Sequence, residues 1–256
     1  MEKIRVALLH LLPIAGDIPY NQGLVEKAIE QAKHKQVDWI ITPELIVSGL
    51  QFANKVGTDW IEQQPDTWLT KLCSLARSAN ANVFIGCPEK GAEDHLYNSV
   101  FVIDRKGNLV GKQQKISSVT DQWSSSGTVV EAITLDNIKV GLMICADAYT
   151  KEVAETLLNK GVDIIVAPCS WGPGLHGPKG EWEQRSKDTG LPVFVCNRTG
   201  EDENVSFWEA ESIVIKDGKR LLSYKSAQSS ILYFDWDLQG MDVISKAFEA
   251  EYIELV

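Results

Sequence analysis

The chain has 256 residues, of which 44% are hydrophobic and 23% are charged, an ordinary composition for a globular protein. Its formal net charge of −10 at pH 7 argues against binding to nucleic acid or to an anionic membrane, because both need a basic surface. Five cysteines without a CxxC spacing favour a reducing cytoplasm over a disulfide framework. They are Cys73, Cys87, Cys145, Cys169 and Cys196.

Strand-like and helix-like segments alternate along the chain. The first half is predicted to contain a strand at 4–9, a helix at 21–35, a strand at 37–42, a helix at 65–79, strands at 82–87 and 99–104, and a turn at 105–108 leading into a strand at 109–113. The second half is predicted to contain a hairpin of strands 131–135 and 138–144, a helix at 150–159, a strand at 162–167, a helix at 180–189, and strands at 192–196, 212–215, 220–225 and 230–235. Hairpins mixed with strand–helix–strand units predict an α/β fold with mixed sheets. No segment is linker-like, so residues 1–256 are expected to form a single domain.

Two stretches of the sequence resemble each other: VDWIITP at 37–43 and VDIIVAP at 162–168. Each follows a predicted helix, and both share Val-Asp, four residues and Pro. Two such units suggest two similar halves packed together. Unrelated helix-to-strand connections would give the same pattern, so both interpretations stay open.

Three chemically different side chains follow the ends of predicted strands: Glu44, Lys115 and Cys145. A free thiol has a pKa near 8.5, so only about 3% is thiolate at pH 7. A carboxylate can take the thiol proton, and an ammonium group can compensate the negative charge that results. The same ammonium can stabilise an oxyanion, an effect worth roughly 3–4 kcal/mol. The three types together are suited to acyl transfer by a cysteine nucleophile.

Five motifs follow one another along nearly the whole chain: TPEL at 42–45, GKQQK at 111–115, GLMICAD at 141–147, GVDIIVAP at 161–168 and VCNRTG at 195–200. Together they resemble the nitrilase superfamily of carbon–nitrogen hydrolases. The resemblance implies a four-layer α-β-β-α sandwich of two mixed sheets. It also implies a triad with Glu44 as general base, Lys115 as stabiliser of the oxyanion and the thiolate, and Cys145 as nucleophile. Assembly near the nucleophile helix, as a homodimer or a larger homo-oligomer, is a further implication.

The resemblance also bears on the residues around the triad. Members of the superfamily usually carry a second glutamate between the lysine and the cysteine, and here Asp121 is the nearest candidate for this accessory carboxylate, because Glu131 lies too far along. Trp171 and Ala146 are predicted to contact the substrate. The four histidines are scattered without metal-ligand spacing, so we expect neither a metal nor a cofactor.

The favoured hypothesis is a thiol hydrolase that cleaves a non-peptide carbon–nitrogen bond of a small-molecule amide. A nitrilase and an amide-forming acyltransferase are alternatives that would use the same residues. A cysteine–histidine enzyme that uses His176 is a second hypothesis, and a catalytically silent binding protein of the same fold is a third. A GxGxxG pattern at 172–177 contains a proline and does not open the first strand–helix unit, so nucleotide binding is not predicted.

Overall fold

The computed structural model describes residues 2–118 and 121–253. In these ranges the strands are β1 (Lys3–His10), β2 (Trp39–Ile41), β3 (Asn82–Lys90), β4 (Leu96–Ile103), β5 (Leu109–Gln114), β6 (Ala132–Leu135), β7 (Ile138–Leu142), β8 (Ile164–Pro168), β9 (Val193–Cys196), β10 (Glu201–Asp202), β11 (Val205–Ser206), β12 (Ser212–Lys216), β13 (Lys219–Tyr224), β14 (Ser230–Asp237), β15 (Asp242–Val243) and β16 (Glu249–Tyr252). The α-helices are α1 (Ile18–Lys33), α2 (Ala53–Val56), α3 (Thr67–Ala79), α4 (Glu152–Asn159) and α5 (Glu181–Thr189).

Local capping explains where the longer helices begin. The Asp17 carboxylate accepts the backbone N–H of Tyr20 at 3.2 Å, so α1 starts three residues before the predicted position. Asp66 accepts the backbone N–H of Leu69 at 2.7 Å in the same way at the start of α3. None of the helices in the described ranges is long and apolar enough to cross a membrane.

Fourteen of these strands form two mixed sheets, and β10 and β11 form a separate two-stranded antiparallel sheet. The first has the order β15-β14-β1-β2-β3-β4-β5, with β16 beside β14, and the second has the order β13-β12-β9-β8-β7-β6. Strands β1, β2 and β3 are parallel in the first sheet, as are β7, β8 and β9 in the second, and the flanking pairs are antiparallel. The central strands β2 and β8 therefore hold equivalent places, and they carry the two similar sequence stretches.

The layers follow from which face of each strand is apolar. Along β1, Ala7 and Leu9 belong to the core beneath α1 and α3, whereas Val6 and Leu8 belong to the core between the two sheets. Leu157 of α4 and Trp182 of α5 join the core of the second sheet. The predicted four-layer α-β-β-α sandwich of two mixed sheets is thus confirmed.

Candidate active site

Glu44 follows β2 and is held by donors from both sheets. Its Oε1 atom accepts Lys115 Nζ at 2.9 Å and Asn98 Nδ2 at 2.8 Å. Its Oε2 atom accepts the backbone N–H of Ser170 at 3.0 Å, and the Ser170 hydroxyl donates to the Glu44 backbone carbonyl at 2.8 Å. Glu44 is only 1% exposed, and these contacts provide hydrogen-bond donors for both oxygens of its carboxylate.

A glycine on the neighbouring strand makes room for the Glu44 turn. A Cβ atom on Gly86 would lie 2.5 Å from the Pro43 carbonyl oxygen and 3.1 Å from Glu44 Cα. The Gly86 N–H also donates to the Thr42 hydroxyl at 3.0 Å. Backbone approach this close requires a residue without a side chain.

Lys115 follows β5 and lies between two carboxylates. Besides Glu44, its Nζ atom contacts both carboxylate oxygens of Asp121, each at 3.1 Å. Asn98 Nδ2 donates to Asp121 Oδ2 at 3.2 Å, so one amide joins the two acids. Burial lowers the pKa of Lys115, but the charges of Glu44, Cys145 and Asp121 outweigh this effect and raise it well above its usual value. The ammonium group therefore stays charged although it is buried.

Cys145 begins a short 3₁₀ turn, Cys145–Tyr149, three residues after the end of β7. Its φ of +46° lies in the left-handed region, which a non-glycine residue seldom adopts. Contact with the Cys169 thiol, then burial and the Glu44 charge, raise the pKa of Cys145 well above its usual value, while Lys115 lowers it. Since the resting thiol keeps its proton at neutral pH, attack on a substrate requires a base.

Asp147 connects the nucleophile turn to the segment that carries the lysine. Its Oδ1 atom accepts the backbone N–H groups of Ile116 at 3.0 Å and Ser117 at 2.7 Å, and its Oδ2 atom accepts that of Ile144 at 3.0 Å. Burial raises the pKa of Asp147 to about 6, although the backbone donors oppose the shift. The two residues that follow Lys115 and the residue that precedes Cys145 are thus joined through one buried carboxyl group.

A cavity of about 710 Å³ opens beside these groups and is lined by Lys115, Asp121, Cys145, Ala146 and Trp171, among others. The Trp171 backbone N–H donates to Asn197 Oδ1 at 3.1 Å, and its indole N–H donates to the His176 carbonyl at 2.6 Å. The two residues predicted to contact the substrate therefore line the same cavity as Lys115 and Cys145, and Glu44 lies behind Lys115, which it contacts.

His176 also lines the cavity, on an exposed loop. Its backbone carbonyl accepts the hydroxyl of Tyr149 at 2.6 Å as well as the Trp171 indole. Within the part of the chain that the structure describes, no group of three or more His, Cys, Asp and Glu side chains is arranged to hold a metal ion.

Sequence reasoning missed several side chains that hold the site in place: Asn98, Asp147, Cys169 and Ser170. Asp147 lies inside the cysteine motif, two residues after the thiol, which was a usable signal. Asn98 lies in β4, whereas Cys169 and Ser170 directly follow β8, and nothing in the linear sequence indicates their contacts with the site.

Comparison with known proteins finds relatives along nearly the whole chain. The family model for carbon-nitrogen hydrolases matches residues 5–245. A probable nitrilase of Schizosaccharomyces pombe is 24% identical over 257 residues, which cover 96% of this chain and 93% of that protein. An omega-amidase of Bos taurus is 26% identical over 258 residues, which cover 94% of this chain and 91% of the relative.

Among solved structures, that of Nit3 from Saccharomyces cerevisiae, described as a member of the nitrilase superfamily, matches with a TM-score of 0.80 at 22% identity. The match covers 93% of this chain and 91% of that one, and it concerns the fold. The family match and the relatives, taken with the fold, confirm the resemblance read from the motifs. This chain belongs to the carbon-nitrogen hydrolase family of the nitrilase superfamily, and it is an enzyme of that class.

Proposed function

We propose that the chain is a small-molecule amidase that works through a thioester on Cys145. One observation carries the proposal: a buried ammonium group, Lys115, contacts the Glu44 carboxylate and lines the same cavity as the Cys145 thiol. A relative that is an omega-amidase favours an amide over a nitrile as substrate.

In the acylation step, Cys145 Sγ attacks the amide carbonyl carbon while its proton passes to the Glu44 carboxylate. The carbonyl π electrons move to oxygen, and the Lys115 ammonium stabilises the oxyanion. The carbon–nitrogen bond then breaks as Glu44 returns the proton to nitrogen. Ammonia or an amine leaves, and the acyl group remains as a thioester.

In the deacylation step, water attacks the thioester carbon and gives a proton to Glu44. Collapse of the second tetrahedral intermediate breaks the carbon–sulfur bond, the carboxylic acid leaves, and the sulfur of Cys145 regains the proton. Lys115 neutralises negative charge throughout, which lets a thiolate form beside a carboxylate.

Asp121 is proposed to be the accessory carboxylate of this site. Its two contacts with Lys115, at 3.1 Å each, support a role in orienting the ammonium group. We expect Asp121→Asn to lower kcat and Asp121→Glu to retain more activity, because only the second variant keeps the negative charge. Equal activity of the two variants would contradict this role.

Trp171 and Ala146 are proposed to contact the acyl part of the substrate. Both line the cavity, and hydrogen bonds from the backbone N–H and from the indole N–H of Trp171 hold that residue in place. A small residue at 146, where an aromatic one is common in the superfamily, leaves more room beside Cys145. We expect Ala146→Phe to reduce kcat/KM more for long acyl amides than for acetamide.

The test of the proposed function is ammonia release from a panel of small amides and nitriles. Cys145→Ala should remove activity, whereas Cys73→Ala, which changes a half-buried thiol of α3, should keep it. Activity of Cys145→Ala at the wild-type rate would rule out the mechanism. The mass of a thioester trapped on the intact protein would identify the acyl group.

The same panel separates the alternatives. Turnover of nitriles alone would indicate a nitrilase, and faster product formation with an added amine acceptor would indicate an acyltransferase. Loss of turnover in His176→Ala with turnover kept in Glu44→Gln would support the cysteine–histidine mechanism, and we expect the reverse. A protein that releases ammonia from none of these compounds would be a silent binding protein.

The protein is further proposed to act in the cytoplasm as a homodimer or a larger homo-oligomer. Its free cysteines support a reducing compartment. Tyr149, at the end of the nucleophile turn, and Leu158, in α4, are 46% and 41% exposed, and a subunit contact would cover apolar surface there. Light scattering on the purified protein would test the oligomeric state.

A further inference from the structure

The charged groups at the closed part of the cavity carry an excess of negative charge. Glu44 and Asp121 share one cation, Lys115, whose ammonium group contacts both carboxylates. All three side chains are at most 6% exposed. When Cys145 gives its proton to Glu44 during a reaction, the summed negative charge of the group stays the same. Lys115 is therefore already engaged by the protein's own anions.

The rest of the cavity is mainly aromatic, aliphatic or uncharged. Tyr149 and Trp171 pack edge to face with their ring centroids 4.7 Å apart, and Trp123 and Leu175 line other parts of the wall. Leu175 is 83% exposed, so it lies where substrate can enter from solvent. Among the described residues that line the cavity, His176 is the remaining side chain that can carry a positive charge.

We propose that this site takes neutral carboxamides with an apolar acyl group and discriminates against amides that carry a carboxylate at their far end. The inference rests on the proposed amidase function and adds the substrate class. A carboxylate brought into this cavity would lose water and, among the described lining residues, meet no lysine or arginine other than Lys115, which Glu44 and Asp121 already engage. It would also face the Asp121 carboxylate in the cavity wall. Juxtaposed like charges are strongly unfavourable.

The size of the cavity supports an acyl group larger than acetyl. At about 710 Å³ it lies within the range of sites that enclose drug-sized molecules. A branched aliphatic or aromatic acyl group could contact Trp171 and Tyr149 while the amide carbon lies at Cys145. Binding of such a group against the aromatic walls would be favourable, because it removes apolar surface of the substrate from water.

A matched pair of substrates tests the inference on the purified protein. Succinamate and 4-methylpentanamide have the same carbon spacing from the amide, but a carboxylate in the first takes the place of an isopropyl group in the second. We expect kcat/KM to be at least about tenfold higher for the neutral amide, because the carboxylate of succinamate is repelled by the anions of the site. A tenfold difference corresponds to about 1.4 kcal/mol in free energy. Equal or faster turnover of succinamate would overturn the inference.

A second readout does not need turnover, so it separates failure of this inference from failure of the proposed function. Iodoacetamide and iodoacetate alkylate a thiolate by the same displacement of iodide, and they differ in charge. The alkylation rate of Cys145 with iodoacetamide, followed by mass spectrometry, is divided by its rate with iodoacetate. This ratio is then divided by the corresponding ratio for glutathione, which corrects for the different reactivities of the two reagents. We expect the normalised ratio to favour iodoacetamide at least about fivefold. A ratio near one would overturn the inference even if amides are hydrolysed.

Variants at the cavity entrance test whether an added cation shifts the selectivity toward the substrate that carries a carboxylate. Leu175→Arg supplies a free cation, and Leu175→Gln is its matched neutral control. The first should raise the kcat/KM ratio of succinamate to 4-methylpentanamide, and it should bring the alkylation ratio closer to one, whereas the second should change neither. His176→Gln should leave the preference for the neutral amide in place. Loss of that preference in His176→Gln would mean that His176, and not the anionic pair, sets the selectivity.

Discussion

Lys115 Nζ lies 2.9 Å from Glu44 Oε1, and both side chains are almost completely buried. Residues 71 positions apart in the sequence thus share one hydrogen bond inside the protein. Removing one member of a buried ion pair leaves the other charge without compensation, which costs more than the net value of the pair. Here a second carboxylate, that of Asp121, depends on the same cation.

We therefore predict that Lys115→Met lowers both stability and activity. The free energy of unfolding should fall by about 3–5 kcal/mol, because two buried carboxylates lose their partner. The rate kcat should fall by at least about 100-fold through loss of oxyanion stabilisation. Urea unfolding and ammonia release measure the two effects. Lys151→Met is the control, because Lys151 pairs with Glu155 at the exposed surface and should have little effect on either quantity.

Cys169 provides a second prediction, because its contact is the largest cause of the raised pKa of Cys145. Cys169→Ala removes a group that stabilises the protonated thiol, so the pKa of Cys145 should fall. The pH dependence of Cys145 alkylation by iodoacetamide, followed by mass spectrometry, should then shift to lower pH. Cys87→Ala, which changes another buried thiol, should leave the profile in place. An unchanged or higher midpoint in Cys169→Ala would show that the contact does not set this pKa.

How far the sequence predicts the fold depends on how much apolar surface each element buries. Strands such as β1 and β8 are runs of buried residues, and their predicted positions lie close to the observed ones. The short helix α2 and strand β16 were missed because they bury little of their own surface. Strand β16 reads Glu-Ala-Glu-Tyr, and its pairing with β14 is what makes it a strand.

Errors at the ends of elements lie close to the candidate site. The predicted strand at 99–104 begins at Leu96 in the structure, so Asn98, which donates to Glu44, was left outside it. A polar residue in a strand carries no signal until its partner is known. The predicted strand at 138–144 ends at Leu142, because the chain turns there and Cys145 takes a positive φ. Residue type and order indicated Glu44, Lys115 and Cys145, but their contacts depend on packing between two sheets.

The buried Asp147 predicts a pH dependence of stability. Its pKa is raised from 3.8 to about 6, so the folded protein holds this proton more tightly than the unfolded chain does. The resulting stabilisation is fully present below pH 3.8 and is lost as the pH rises through 6, a change of roughly 3 kcal/mol in all. The asparagine in Asp147→Asn cannot titrate. As the pH rises through this range, the unfolding free energy of the wild type should therefore fall relative to that of the variant.

The difference between the two proteins is the quantity to measure, because His10 acts in the opposite direction. Burial lowers the pKa of His10 to about 4, so its contribution is present above pH 6.5 and is lost as the pH falls toward 4. That contribution is common to both proteins and cancels. A difference that stays constant between pH 4.5 and 7.5 would contradict the assignment to Asp147.

Gly86 provides the last prediction, because its missing side chain decides where Glu44 lies. In Gly86→Ala the new Cβ atom would meet the Pro43 carbonyl oxygen at 2.5 Å, so the Glu44 turn or strand β3 must move. Overpacking of this kind costs about 1–3 kcal/mol in unfolding free energy. A displacement of the base by about 1 Å should lower kcat by roughly 100-fold. Gly23→Ala is the matched control, because Gly23 lies in α1 and, apart from its chain neighbours and the nearby backbone of α1, no atom lies within 4 Å of the added methyl group. It should keep kcat and gain up to about 1 kcal/mol in stability, since alanine is the better helix former. Full activity in Gly86→Ala would mean that the position of Glu44 does not depend on this close backbone contact.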